Sequence, residues 1–404
     1  GQYTHHHKVI DNQSPVPEEA RFFPEYLQKA GYHTAFFGKW HMGNDDSAPQ
    51  KGFDHWVSFK GQGVYYNPTL NINGTETVYK DSSYITDLLT TQTLEFLDHR
   101  KEKKPFFIYL SHKAVHAEFM PPKRHKGVYD DIKVNYPPSM FPPNDPQHEG
   151  SPYNYAELPD WVKAQRYSWH GVDYMYHGAI KFESFYQQYC ETLLGVDESI
   201  QSILDYLEQE GLLENTIVIY MGDNGFSFGE HGLIDKRHAY EESMRVPLLV
   251  FGKGITPGIK IEQLIQNIDI APMILEMANA KKVEDMDGES FTSLLHGESK
   301  PWRDTIYYEY FWERAFPQTP TIFAVRTSQY KFIRNHGIWD INELYDLQAD
   351  PNEMNNLIRS PKHQDMVKIF DESLFRWLEN TGGMSMPLRK DEGKKFDHRY
   401  NNTW

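Results

Sequence analysis

The sequence predicts an α/β fold in which a mostly parallel mixed sheet is flanked by helices, followed by a smaller subdomain on an antiparallel sheet. Three observations predict it. Strand-like runs alternate with helix-like segments through residues 1–300. The run Thr216–Met221 is largely apolar, the pattern of a strand buried on both faces. From Pro301 onward, short extended runs follow one another until a last helix.

Taken in order, PEYLQKAGYHTAFFGKWH reads as a helix, a stop at Gly31 and a strand from Thr34 to Phe37. KPFFIYLSH supplies a strand from Phe106 to Leu110. Residues 116–183 turn polar and rich in Pro, Tyr and His with little periodicity, which predicts a long functional loop forming one wall of a cleft. Phe185, Tyr189, Leu193, Val196, Ile200, Ile203 and Leu207 recur at helical spacing. This helix carries Cys190, the single cysteine, which reads as a buried structural thiol and leaves no disulfide framework. After the strand ending at Met221, VPLLVFG reads as a further strand and NIDIAPMILEMANA as a helix. TIYYEYF, TIFAVRT and YKFIRN then form the antiparallel sheet, covered by a helix near Val367 to Asn380. The expected division is 1–300 and 301–404. Asn73 and Asn401 head glycosylation sequons that matter only in a eukaryotic secretory context.

A formal net charge of −16 over 404 residues argues against a nucleic-acid binder, which needs a clustered basic face. A local pocket of lysine and histidine can still hold a small anion, because salt screens remote surface charge beyond roughly 8 Å. No run of 18 or more apolar residues is present to span a bilayer.

The candidate chemistry sits at strand ends, where open α/β sheets place ligands. Lys39 and His41 follow the first strand two residues apart, so an extended backbone points both the same way. His116 lies just past the second strand, before a Pro-rich loop, placed as a general acid or base. Asp223 and Asn224 follow the apolar strand and offer a carboxylate and an amide oxygen, a donor pair suited to a hard cation such as Ca²⁺. Gly222 and Gly225 flank them, and Lys236 adds a further cation.

These segments resemble the formylglycine-dependent sulfatases of the alkaline-phosphatase-like superfamily. GYHTAFFGKWH is similar to the family's second signature, DNGFSFGEHGLIDKRHAYEESMRVPLLV to its metal-and-lysine segment, and NELYDLQADPNEMNNL to its C-terminal subdomain. The resemblance implies hydrolysis of a sulfated glycan or small sulfate ester, with a sugar such as a 6-sulfated hexosamine as the expected carrier. It implies that Asp223 and Asn224 ligate Ca²⁺, that Lys39 and Lys236 clamp the sulfate, that His41 takes the proton that releases sulfate, and that His116 protonates the leaving alcohol. Arg237 and His238 are expected sugar contacts. The family further implies a formylglycine-generating enzyme as maturation partner and a periplasmic or extracellular location. Its first strand, an Asp-Asp metal pair and the Cys/Ser-x-Pro-x-Arg nucleophile are expected upstream of Gly1. The sheet of residues 1–404 is then expected to show a slot, and this stretch alone to be inactive. Ser299-Lys300-Pro301-Trp302-Arg303 matches the nucleophile motif only literally, because a strand follows it, and Ser47-Ala48-Pro49-Gln50-Lys51 ends in lysine. A phosphoester or phosphonate hydrolase of the same superfamily and a non-catalytic binder of sulfated glycan are the alternatives.

Overall fold

The computed structural model describes residues 1–12, 14–42, 46–100, 104–143, 145, 152–175, 181–281 and 283–387. His33–Gly38 (β1) is rich in residues that fit a pleated, buried surface, and all but its first position are buried. It pairs in parallel with His55–Ser58 (β2). Thr69–Ile72 (β3) and Thr75–Val78 (β4) extend the sheet antiparallel beyond β2. On the opposite side of β1 lies Phe106–Ser111 (β5), also parallel, giving the order β4-β3-β2-β1-β5. Ala35, Phe37, Val57 and Leu70 pack on Ile85, Leu89 and Phe96 of the helix Ile85–Asp98. Each such fully buried side chain contributes about 1.5–3 kcal/mol relative to exposure.

Ile217–Met221 (β6) pairs antiparallel with Leu248–Gly252 (β7), so this apolar strand has no parallel partner among the described residues. Ile219, Leu248 and Val250 pack against Met273 of the helix Ile270–Met277 and against Leu294 and Leu295. The long helix Phe182–Gln209 carries Cys190, which is only partly buried. β5 and β6 are not hydrogen-bonded to each other. A cavity of about 3640 Å³ reaches between them, lined there by Phe107, Tyr109, Val218, Tyr220, Leu193 and Ile200.

Thr305–Tyr310 (β8), Thr321–Thr327 (β9), Tyr330–His336 (β10) and Glu343–Asp346 (β11) form a separate antiparallel sheet. Phe323, Val325 and Phe332 pack on Phe370, Leu374 and Trp377, the last three from the helix Gln364–Thr381. The other face, with Ile322, Ala324 and Ile333, shares a core with Val162, Leu233 and Tyr240. A buried ion network ties the same junction. Lys331 is fully buried and pairs with Glu353 at 2.7 Å and Glu241 at 3.1 Å, and Arg326 grips Glu241 through Nε and Nη2, each at 2.9 Å. The second sheet thereby anchors the segment just after Lys236.

The described residues between 116 and 183 are largely irregular, as their composition predicts, yet they are packed. Phe119, Val134, Met140 and Val172 share a core with Phe185 and Ile234. The sequon at Asn401 lies outside the described residues.

Candidate active site

Lys39 begins where β1 ends. Gly38 has φ +114°, and a Cβ there would lie 1.8 Å from the Ser111 carbonyl oxygen, so only glycine lets the chain end close on β5. The Lys39 amide then donates to that oxygen at 2.7 Å, while the Ser111 hydroxyl donates to the Lys39 carbonyl at 3.0 Å. The Lys39 ammonium donates to Gln62 Oε1 at 2.6 Å. His41 follows in the left-handed region, φ 46°, and lines the same cavity.

His116 is held through its backbone, with the Tyr65 hydroxyl donating to its carbonyl at 2.7 Å. Its Nδ1 donates to the Ala117 carbonyl, which fixes the ring and leaves Nε2 as the end that exchanges a proton.

Gly225 shows the second close approach, since a Cβ there would lie 1.8 Å from the Glu242 carbonyl oxygen. Gly222 is different: a Cβ there meets only ordinary contacts from 3.4 Å. The turn between them leaves Asp223 exposed, its Oδ1 accepting the Asn224 amide at 2.8 Å. Asn224 Oδ1 accepts from the Lys236 ammonium at 3.1 Å.

Lys39, His41, His116, Asp223, Asn224, Lys236 and Arg237 all line one cavity at these strand ends. His238 does not. Its side chain is buried, Nε2 bonds with the Ser227 hydroxyl at 2.9 Å, and Nδ1 accepts the Tyr240 amide at 3.3 Å. That contradicts its expected role as a sugar contact, because both ring nitrogens serve the interior. Arg237 reaches the cavity but is committed: it pairs with Asp235 at 2.9 Å and Glu313 at 3.0 Å and stacks 3.3 Å over the Phe316 ring. Neither literal nucleophile motif sits at the cavity. Ser47 is buried, and its carbonyl accepts from the Trp56 indole. Ser299 is exposed, and Arg303 of its motif is engaged bidentately by Asp269.

Sequence reasoning missed Lys113, Gln62, Tyr65 and Glu313. Lys113 stands between the strand FFIYLS and His116, and its position in SHKAVH was the available signal. The others reach the site only through tertiary folding.

The electrostatics are those of an anion pocket. Burial, then Lys236, pushes the Lys39 ammonium down to about 7. Burial also lowers Lys236, with Asp223 opposing, and lowers Lys113 to about 8. His116 is driven to about 2 by burial and then by Lys39, Lys236 and Lys113. No carboxylate lies within 4.0 Å of the Lys39, Lys113 or Lys236 ammonium groups among the described residues, so an anion between them would relieve their repulsion and raise all these values. Lys39 is charged below about 7 and neutral above it. Affinity for free sulfate is therefore expected to fall as pH rises through that range. Titration calorimetry across pH 5.5–8.5, as a rough window around a lysine so perturbed, checks this. A flat profile would remove Lys39 from the anion contacts.

Asp223 and Asn224 fit a hard cation in donor chemistry, one carboxylate and one amide oxygen. The described residues hold no group of three or more His, Cys, Asp or Glu arranged for a metal, so these two would form part of a ligand set.

A mixed sheet with parallel strands and flanking helices, a separate antiparallel sheet and cations gathered at the strand ends define an α/β protein of the alkaline-phosphatase-like kind that handles an oxyanion group. Residues 1–280 match the sulfatase family model, and residues 229–380 match the C-terminal region of N-sulphoglucosamine sulphohydrolase. The chain belongs to the sulfatase family. It is 32% identical to an N-acetylglucosamine-6-O-sulfatase of Bacteroides thetaiotaomicron, over 94% of this chain and 77% of that relative. It is 28% identical to the N-acetylglucosamine-6-sulfatase of Homo sapiens, over 99% of this chain and 78% of that protein. Among solved structures, one of a protein in complex with its substrate D-glucosamine-2-N,6-O-disulfate superposes with a TM-score of 0.85 at 28% identity, covering 96% of this chain and 88% of that one.

Proposed function

We propose that this sulfatase hydrolyses a sulfate ester on a sugar, specifically the 6-sulfate of a glucosamine or N-acetylglucosamine unit, and that it acts in the periplasm or outside the cell. The observation that carries the chemistry is the pair of lysines, Lys39 and Lys236, set in one cleft with Asp223 and Asn224 and with no carboxylate within 4.0 Å of either ammonium among the described residues. The sugar and its 6-position rest on the named activities of the relatives. No helix among the described residues is long and apolar enough to cross a membrane.

Lys39 and Lys236 would hold two sulfuryl oxygens and stabilise the charge that builds on them as the S–O bond to the alcohol breaks. His116, its ring fixed through Nδ1, would give the Nε2 proton to the departing sugar oxygen. The sulfate's charge raises His116 toward the range in which it carries that proton, so substrate binding arms the acid. His41 would take the proton whose removal releases inorganic sulfate. Ca²⁺ held in part by Asp223 and Asn224 would polarise the sulfuryl oxygens. A formylglycine, installed by a generating enzyme and supplied from outside the described residues, would provide the attacking oxygen.

The test is inorganic sulfate release by the full-length, matured protein from N-acetylglucosamine carrying sulfate at position 6, 4 or 3. Preference for the 6-sulfate is expected. Faster release from another position would refute the positional assignment, and no release from any sugar would refute the substrate class.

A further inference from the structure

We propose that Lys113, held by Gln62, forms a second anion-holding position in the cleft, which takes a further anionic substituent of the sugar, such as a second sulfate. This rests on the reading of the cleft as a sugar-sulfate site.

Lys113 is 6% exposed, yet it lines the cleft together with Lys39 and Lys236. Its ammonium donates to the Gln62 carbonyl at 3.1 Å and lies 4.6 Å from the centre of the Tyr65 ring. That satisfies one of its three N–H donors, and no carboxylate is within salt-bridge distance among the described residues. A lysine buried to this degree without a carboxylate in direct contact is rare, because its desolvation is only partly offset, here by the more distant Glu118. Lys331 in the same chain shows the usual solution, two carboxylates on one buried ammonium.

Gln62 is the hinge of the arrangement. Its side-chain oxygen takes Lys39 and its carbonyl takes Lys113, so one residue presents two ammonium groups to one cleft. The charge of Lys113 is felt at both Lys39 and His116, which it lowers after larger contributions from burial and from Lys236. Lys39 and Lys236 are the two lysines read as clamping the sulfuryl group, which leaves Lys113 for a further anionic group on the sugar. A substrate with two anionic groups uses all three lysines.

The experiment compares kcat/KM of the full-length, matured protein on N-acetylglucosamine-6-sulfate and on D-glucosamine-2-N,6-O-disulfate, for the wild type, Lys113→Met and Lys113→Arg. The ratio of the two constants on one preparation does not depend on the fraction folded. The wild type is expected to favour the disulfate, Lys113→Met to lower that ratio by about tenfold through KM, and Lys113→Arg to retain most of it. A ratio unchanged in Lys113→Met, or a wild type without preference for the disulfate, overturns the proposal. A wild type that cleaves neither sugar overturns the underlying substrate reading instead.

Discussion

His116→Ala is expected to lower kcat/KM for a sugar sulfate by about 10²–10⁴-fold, while an aryl sulfate with an acidic phenol loses far less. A sugar alkoxide is a poor leaving group and needs a proton as the S–O bond breaks, whereas a nitrophenolate departs without one. The structure makes this difference specific to the ring. Nδ1 is committed to the Ala117 carbonyl, and the Tyr65 hydroxyl holds the His116 carbonyl, so alanine removes the proton source and leaves the backbone anchor in place. Steady-state kinetics on both substrates check this. Equal losses would place His116 among the binding residues.

Lys236→Met should cost about 10²–10³-fold in kcat on either substrate, the scale seen when one preorganised donor to a developing oxyanion is lost. It should do so without lowering the melting temperature. Lys236 is buried with Asn224 Oδ1 as its hydrogen-bond acceptor and no carboxylate within 4.0 Å among the described residues, and burial lowers its ammonium despite the fields of Asp223, Asp235 and Glu313, so its charge costs desolvation in the free protein. Lys331→Met is the contrasting control: it leaves Glu353 buried without its cation and Glu241 with Arg326 alone, and should cost about 3–5 kcal/mol of stability. Kinetics and melting curves on both variants separate the two kinds of lysine. A Lys236→Met protein that melts as low as Lys331→Met would make Lys236 structural.

The strands that carry the chemistry were readable because their apolar runs end where polar motifs begin. Thr34–Phe37 and Thr216–Met221 lie within a residue or so of β1 and β6. Asp223, Asn224 and Lys236 could be placed because a strand end followed by glycine leaves the chain few other courses. The hairpin of β3 and β4 went unread although its signal was present. Asn73 and Gly74, at φ 50° and 92°, form a two-residue turn between Ile72 and Thr75, and Asn-Gly favours that conformation. Reading Asn73 only as a sequon hid the turn. His238 was misassigned for a different reason, since adjacency to Lys236 says nothing about which way a side chain faces, and the shared core with the second sheet turns it inward. Lys113 and Gln62 depend on a contact across 51 positions, which no local pattern reports.

The central claim is that the cluster of Lys39, Lys236, Asp223 and Asn224 is built for a sulfuryl group. It is tested most directly by turnover of one phenol presented as its sulfate ester and as its phosphate monoester, with the full-length, matured protein and Ca²⁺. The account predicts a higher kcat/KM for the sulfate ester, because two lysines and one cation match a singly charged group whose charge spreads over three oxygens. A higher kcat/KM for the phosphate monoester would contradict it.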